Sequence, residues 1–135
     1  NTQKSLALTI IPAKDHAEAF LMVETDRAAA FVMDDILLAS LAANSKSPAE
    51  YVISDQALSV EPYGIMLPRG DEAYKKVVDA EMTRLYKSGE INAIYEKWFT
   101  KPIPPKGVNL NLPMGAPFKK VVANPTSSGD PKDYQ

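Results

Sequence analysis

The sequence predicts an α/β fold, in which helices cover a sheet of short strands. Residues 28–33 form an apolar run with a charged residue on each side, which is typical of a strand buried on both faces. Directly after this run, apolar residues recur at helical spacing from Ile36 to Ala42. The strand is therefore predicted to lead straight into a helix, at the edge of the sheet where open α/β proteins place their ligands.

The other elements are predicted from short apolar runs and from helix boundaries. Further strands are predicted at residues 6–11, 51–54 and 63–67, and helices at 16–25, 35–44, 72–88 and 91–98, with a helical turn at 118–123. Asp15 and Asp71 stand where they can cap helices, and Gly89 suits the left-handed residue that closes one. Tyr95 and Trp98 are interpreted as core residues. The chain after residue 124 is expected to be disordered or loosely draped.

The composition excludes several classes of function. A chain of 135 residues with 45% hydrophobic and 24% charged residues is typical of one globular domain. The net charge of −2 gives no electrostatic reason to expect nucleic acid or an anionic membrane as partner. There is no cysteine, which excludes disulfides and thiolate metal sites. With one histidine, the chain offers few residues for a metal site or a nucleophilic triad, and no cofactor is indicated.

Two residues are candidates for binding chemistry. Asp34 follows the central strand, where it either caps the next helix, for about 1 kcal/mol, or acts as counter-ion to a ligand cation. Its position alone favours the cap. His16 lies at a helix start, which welcomes anions, but an exposed histidine on a helix end is the simpler interpretation.

Several motifs resemble a known family. Residues 85–99, Leu-Tyr-Lys-Ser-Gly-Glu-Ile-Asn-Ala-Ile-Tyr-Glu-Lys-Trp-Phe, look like the C-terminal helix pair of the polar amino-acid solute-binding proteins. Residues 11–20, Ile-Pro-Ala-Lys-Asp-His-Ala-Glu-Ala-Phe, together with 30–38 and 101–111, resemble the glutamate/aspartate-binding proteins of bacterial ABC uptake systems. The resemblance runs from about residue 6 to residue 112.

The resemblance implies a periplasmic binding protein of type II that captures glutamate or aspartate and delivers it to an ABC permease in the inner membrane, without catalysis. It assigns His16 to the ligand's side-chain carboxylate and Asp34 to its ammonium. Such bonds contribute about 1.5–3 kcal/mol each. A dehydratase-like enzyme and a receptor or sensor domain on the same fold are the alternatives.

The same resemblance implies that the fold is incomplete. Residues 1–56 are expected to be part of the ligand-contacting lobe 2, residues 57–112 to form the hinge crossing and the C-terminal part of lobe 1, and residues 113–135 to be an extended tail. The arginine and hydroxyl groups that clamp the α-carboxylate would lie in the missing part. We therefore expect weak or no binding by the chain alone, and a homo-oligomer formed by exchange of unpaired strands.

Overall fold

A computed structural model of the chain describes residues 7–134. In this range the α-helices are α1 (His16–Glu24), α2 (Asp35–Asn44), α3 (Glu72–Ser88), α4 (Glu90–Tyr95) and α5 (Ala116–Ala123). Short 3₁₀ helices span Pro48–Glu50 and Pro131–Tyr134, and a π-helical turn, Glu96–Thr100, extends α4. None of the helices in the described range is long and apolar enough to cross a membrane.

The helix boundaries predicted from capping residues are confirmed. The Asp15 carboxylate accepts the Glu18 backbone N–H at 2.8 Å at the start of α1. Asp71 accepts the Tyr74 N–H at 2.9 Å at the start of α3. Each carboxylate satisfies one of the amides that a helix start leaves without an intrahelical partner. Gly89 closes α3 with a φ of 80°, in the left-handed region.

The predicted strands are wrong for residues 7–134, where the structure contains no β-strand. One isolated bridge pairs Ile103 with Val108. Segments 7–11, 28–33, 51–54 and 63–67 have no regular secondary structure, and residue 6 of the first prediction lies outside the described part. A helix satisfies its backbone groups internally, whereas a strand needs a neighbouring strand for every N–H and C=O. An apolar run indicates that its side chains need to be covered, but it does not indicate whether a neighbouring strand is present to pair with its backbone.

Side-chain exposure also contradicts the strand buried on both faces. Val32 is 73% exposed while Phe31 and Met33 on either side are half-buried, and Val52 is 94% exposed between half-buried Tyr51 and Ile53. This alternation has the two-residue period of an extended chain. One face of each segment therefore rests on the molecule, and the other lies in solvent.

The C-terminal helices pack through a cluster of four rings. The Phe118 ring of α5 lies 6.1 Å from Tyr86 of α3, edge to face, and 5.5 Å from Tyr95 of α4, stacked. Tyr95 also stacks on Phe99 at 4.3 Å. These separations are those of favourable aromatic pairs. The cluster of Tyr86, Tyr95, Phe99 and Phe118 thus joins α3, α4 and α5.

The segment after residue 124 is more ordered than expected. The Lys75 ammonium of α3 donates to the Ser127 hydroxyl at 3.3 Å, and the Tyr134 hydroxyl donates to the Ser128 carbonyl. The first bond joins the segment to α3 and the second joins two parts of the segment, whereas composition alone suggested a disordered or loosely draped tail.

Few side chains are deeply buried in the described part of the chain. Met22 of α1 and Ala39 of α2 are its buried hydrophobic residues. Tyr95 is half-buried, but Trp98 is 45% exposed, with the Lys97 ammonium 5.0 Å from its ring centre. The interpretation of Trp98 as a core residue is therefore wrong, and Phe99 occupies the inward position beside Tyr95.

Candidate functional site

His16 is the first residue of α1 and its side chain is exposed. The helix start that carries it is held at two points. Asp15 accepts the Glu18 N–H, and the Glu18 carboxylate accepts the Lys14 N–H at 2.8 Å. The imidazole lies 6.4 Å, between ring centres, from Phe31 in the segment that leads to Asp34. His16 therefore lies beside the segment that leads to Asp34.

Asp34 occupies the N-cap position of α2, but its side chain makes no capping hydrogen bond. Its backbone carbonyl accepts the Leu37 and Leu38 N–H groups at 3.1 and 3.0 Å. The carboxylate of Asp35, one residue later, accepts the Ile36 N–H at 2.7 Å. The expected side-chain cap is thus wrong, and the half-buried Asp34 carboxylate is left available for another partner.

That partner is Tyr63, whose hydroxyl donates to Asp34 Oδ2 at 2.6 Å. This hydrogen bond, together with partial desolvation and the charges of Asp34 and Asp35, raises the pKa of Tyr63 to about 12. The phenol is therefore neutral throughout the physiological range. Sequence reasoning placed Tyr63 in a strand and missed this role, because nothing in the local pattern indicates a carboxylate 29 residues earlier in the chain.

Two hollows in residues 7–134 do not include His16 or Asp34 in their lining. A hollow of about 480 Å³ lies between α2 and segment 109–111, where Ala39, Tyr51 and Asn109 form part of its lining. A shallow depression runs along α3 from Glu72 to Thr83. Neither His16 nor Asp34 lines either one. His16 lies beside Phe31, and Asp34 ends the same segment, 31–34, of which only Val32 is exposed.

Asp34 and His16 carry side chains that attract opposite charges. In the described range, no group of three or more His, Asp or Glu side chains could hold a metal ion. Asp34 offers a carboxylate that already accepts one neutral donor, and His16 offers a ring nitrogen at a helix start. A carboxylate attracts a cation, while a helix start attracts an anion.

Comparison with known proteins finds similarity to solute-binding proteins of amino-acid import. The chain is 38% identical over 125 residues to the glutamate/aspartate import solute-binding protein of Escherichia coli, covering 93% of this chain and 41% of that protein. It is 26% identical over 96 residues, or 71% of its length, to an ABC transporter glutamine-binding protein of Bacillus subtilis, of which it covers 34%. No protein-family model matches.

The identity is higher to a second protein named for glutamate and aspartate. The chain is 52% identical over 126 residues to the L-glutamate/L-aspartate-binding protein of Pseudomonas aeruginosa, covering 93% of this chain and 42% of that protein. The resemblance predicted from the motifs is therefore confirmed. The chain spans about two fifths of the length of the curated relatives it matches. These relatives are named as binding proteins and not as enzymes, so the dehydratase-like and sensor alternatives gain no support.

Proposed function

We propose that this chain is part of a solute-binding protein that captures glutamate or aspartate for an ABC importer. The observation that carries the proposal is the 52% identity, over 93% of the chain, to a protein named for binding these two amino acids. Capture would occur in the periplasm, and the bound amino acid would pass to a permease in the inner membrane. The function is binding and release, without covalent chemistry.

Asp34 and His16 are the proposed ligand contacts. An acidic amino acid carries an ammonium that needs a carboxylate and a distal carboxylate that needs a donor. The Asp34 carboxylate would accept hydrogen bonds from the ammonium. Its side chain does not cap α2, where the Asp35 carboxylate accepts the Ile36 N–H, and this supports the role. His16 would donate to the distal carboxylate from the start of α1, where the partial positive charge of the helix adds to the attraction.

The proposed architecture is that of a type II periplasmic binding protein, with residues 1–56 in lobe 2, 57–112 at the crossing and in lobe 1, and 113–135 as the tail. The exposed apolar side chains of Val32, Val52 and Ile65 support it, because they stand where a sheet would need further strands. In the 135-residue chain these segments would exchange between copies and form a homo-oligomer. A strictly monomeric species by light scattering at millimolar concentration would contradict the exchange.

The binding role is tested by titrating the 135-residue chain with glutamate and following Asp34 by carboxyl-detected NMR. We expect weak or no binding, with any dissociation constant well above the micromolar range, because Asp34 and His16 would contact two of the ligand's charged groups and leave its α-carboxylate to other parts of the site. Asp34→Asn should weaken glutamate binding, and His16→Ala should weaken glutamate more than alanine, which lacks the distal carboxylate.

Asp55→Asn is the matched control, since it removes the same charge from an exposed loop. It should bind glutamate like the unaltered chain. Equal glutamate binding by the Asp34→Asn and Asp55→Asn variants would refute the role of Asp34. Micromolar affinity in calorimetry would contradict the expected weakness.

A further inference from the structure

The hydrogen bond between Tyr63 and Asp34 links two distant parts of the chain. Tyr63 lies in the extended segment before α3, and Asp34 lies at the start of α2. The 2.6 Å separation of Tyr63 Oη and Asp34 Oδ2 is short, as expected for a hydroxyl that donates to an ionised carboxylate. Tyr63 is also 70% exposed, so burial of its ring does not account for its position. The bond to Asp34 is the contact that orients this side chain.

Only one oxygen of the Asp34 carboxylate is used in this way. No hydrogen bond to Oδ1 is found within residues 7–134, because the helix start is satisfied by the Asp34 carbonyl and the Asp35 carboxylate. A carboxylate can accept about four hydrogen bonds through its two oxygens. Asp34 therefore presents a charged oxygen with open capacity, next to one that is already held.

We infer that Tyr63 is the positioning residue of the ammonium subsite, holding Asp34 Oδ2 so that Oδ1 is presented to the ligand's α-ammonium. The inference rests on the proposed function and adds Tyr63 to it, as the residue that orients Asp34. Tyr63 itself does not contact the ammonium. It fixes the plane of the carboxylate that does.

Two physical properties make a phenol suitable for this task. It is neutral, so it leaves the full negative charge of Asp34 for the ligand, whereas a lysine in its place would cancel that charge. It also removes the rotational freedom that an exposed aspartate would otherwise lose on binding, which lowers the entropic cost of association. The raised pKa keeps the proton on the phenol at every pH at which an amino acid carries its ammonium together with its carboxylates.

The experiment compares Tyr63→Phe with the unaltered chain, using glutamate and glutarate as ligands. Glutarate has both carboxylates of glutamate but no ammonium. In Tyr63→Phe we expect glutamate binding, measured by NMR titration, to weaken by about three- to tenfold, the range of one ordinary hydrogen bond, because Tyr63 acts on the ligand only through Asp34. Glutarate binding should be unchanged, and a general structural defect would not produce that difference.

Tyr51→Phe is the matched control. The Tyr51 hydroxyl donates to the Glu24 carboxylate at 3.4 Å, so the same atom is removed from another tyrosine–carboxylate pair. This variant should bind glutamate like the unaltered chain. Tyr63→Phe binding glutamate equally well would overturn the inference, and tighter binding would overturn it by showing that the phenol competes with the ligand.

A pH titration of the Tyr63 hydroxyl, followed by NMR through the chemical shift of its ring carbons, separates this inference from the proposed function. The pKa of Tyr63 should lie near 12 in the unaltered chain and fall toward 10 in Asp34→Asn. Equal titration of Tyr63 in both proteins would overturn the inference even if glutamate binds. If the pKa of Tyr63 falls in Asp34→Asn as expected but that substitution leaves glutamate binding unchanged, the hydrogen bond exists and Asp34 is not the ammonium site. That result would refute the proposed contact of Asp34 with the ligand.

Discussion

Two halves of the chain differ in how their apolar side chains are covered. In residues 68–134, α3, α4 and α5 converge on the cluster of Tyr86, Tyr95, Phe99 and Phe118. In residues 7–67, the segments that follow α1 and α2 leave the Val32 and Val52 side chains exposed to solvent. Helices complete their own backbone hydrogen bonds and need only side-chain contact, whereas extended segments need a second backbone. The second half therefore holds its helices together through side-chain contacts, whereas segments 28–33 and 51–54 of the first half keep one face uncovered.

The largest effect should come from the ring cluster. Phe118→Ala removes the ring that contacts both Tyr86 and Tyr95, so we expect the free energy of unfolding to fall by about 2–3 kcal/mol, below the range of a fully buried phenylalanine because Phe118 is half-buried. The measurement is urea denaturation followed by circular dichroism at 222 nm. Phe20→Ala, which removes a single contact with Tyr51 at 5.0 Å in the first half, should lower it by less. A larger loss for Phe20→Ala would reverse the comparison between the halves.

A smaller effect is expected at the joint between α3 and α4. Gly89 has a φ of 80°, and a Cβ added there would meet Asn92 Nδ2 at 3.7 Å, an ordinary contact. The strain in Gly89→Ala is thus confined to the backbone and should lower the free energy of unfolding by about 1–2 kcal/mol. Gly64→Ala in the first half has open space and no positive φ, so it should change stability by less than about 0.5 kcal/mol. Equal losses in urea denaturation would show that the left-handed joint is not the cause.

The smallest effect concerns the surface charges of the second half. The Arg84 guanidinium donates to Glu81 and Glu90, and these hydrogen bonds hold the pKa of each carboxyl below its usual value of 4.5. A lowered pKa stabilises the fold above the usual value, and that contribution is lost as the pH falls through the lowered pKa. Arg84→Ala should therefore lower the melting temperature slightly at pH 7 and not at all in strong acid.

This pH dependence is read from the difference in melting temperature between the two proteins, measured from pH 7 down to pH 2. High salt should reduce the difference at pH 7, because all three side chains are about half exposed. A difference that grows as the pH falls would have the wrong sign for a paired carboxylate.

The helices could be predicted from the sequence because their signals are local. Asp15, Asp71 and Gly89 mark boundaries within four residues of the groups they satisfy, and the structure places each boundary where the pattern predicted it. The lack of strands at 28–33 and 51–54 could not be predicted in this way. Their apolar residues are equally compatible with a paired strand and with an extended segment that has no neighbour, and the choice depends on a distant backbone.

The candidate site shows the same limit. His16 and Asp34 were found from motifs, and the position of Asp34 before α2 is as predicted. Whether its carboxylate caps the helix could not be predicted, because Asp35 competes for the first amides and Tyr63 supplies an alternative donor from 29 residues away. The ligand roles of His16 and Asp34 stay predictions until binding is measured.

The position of Trp98 determines how the chain can be followed in solution. It is the only tryptophan in the sequence, it lies at the surface beside Lys97, and it is not part of the ring cluster. We therefore expect its indole emission to be accessible to acrylamide and to change little on unfolding. Loss of tertiary structure in this protein is better followed through the tyrosine bands of near-ultraviolet dichroism, since Tyr86 and Tyr95 lie within the packed helices.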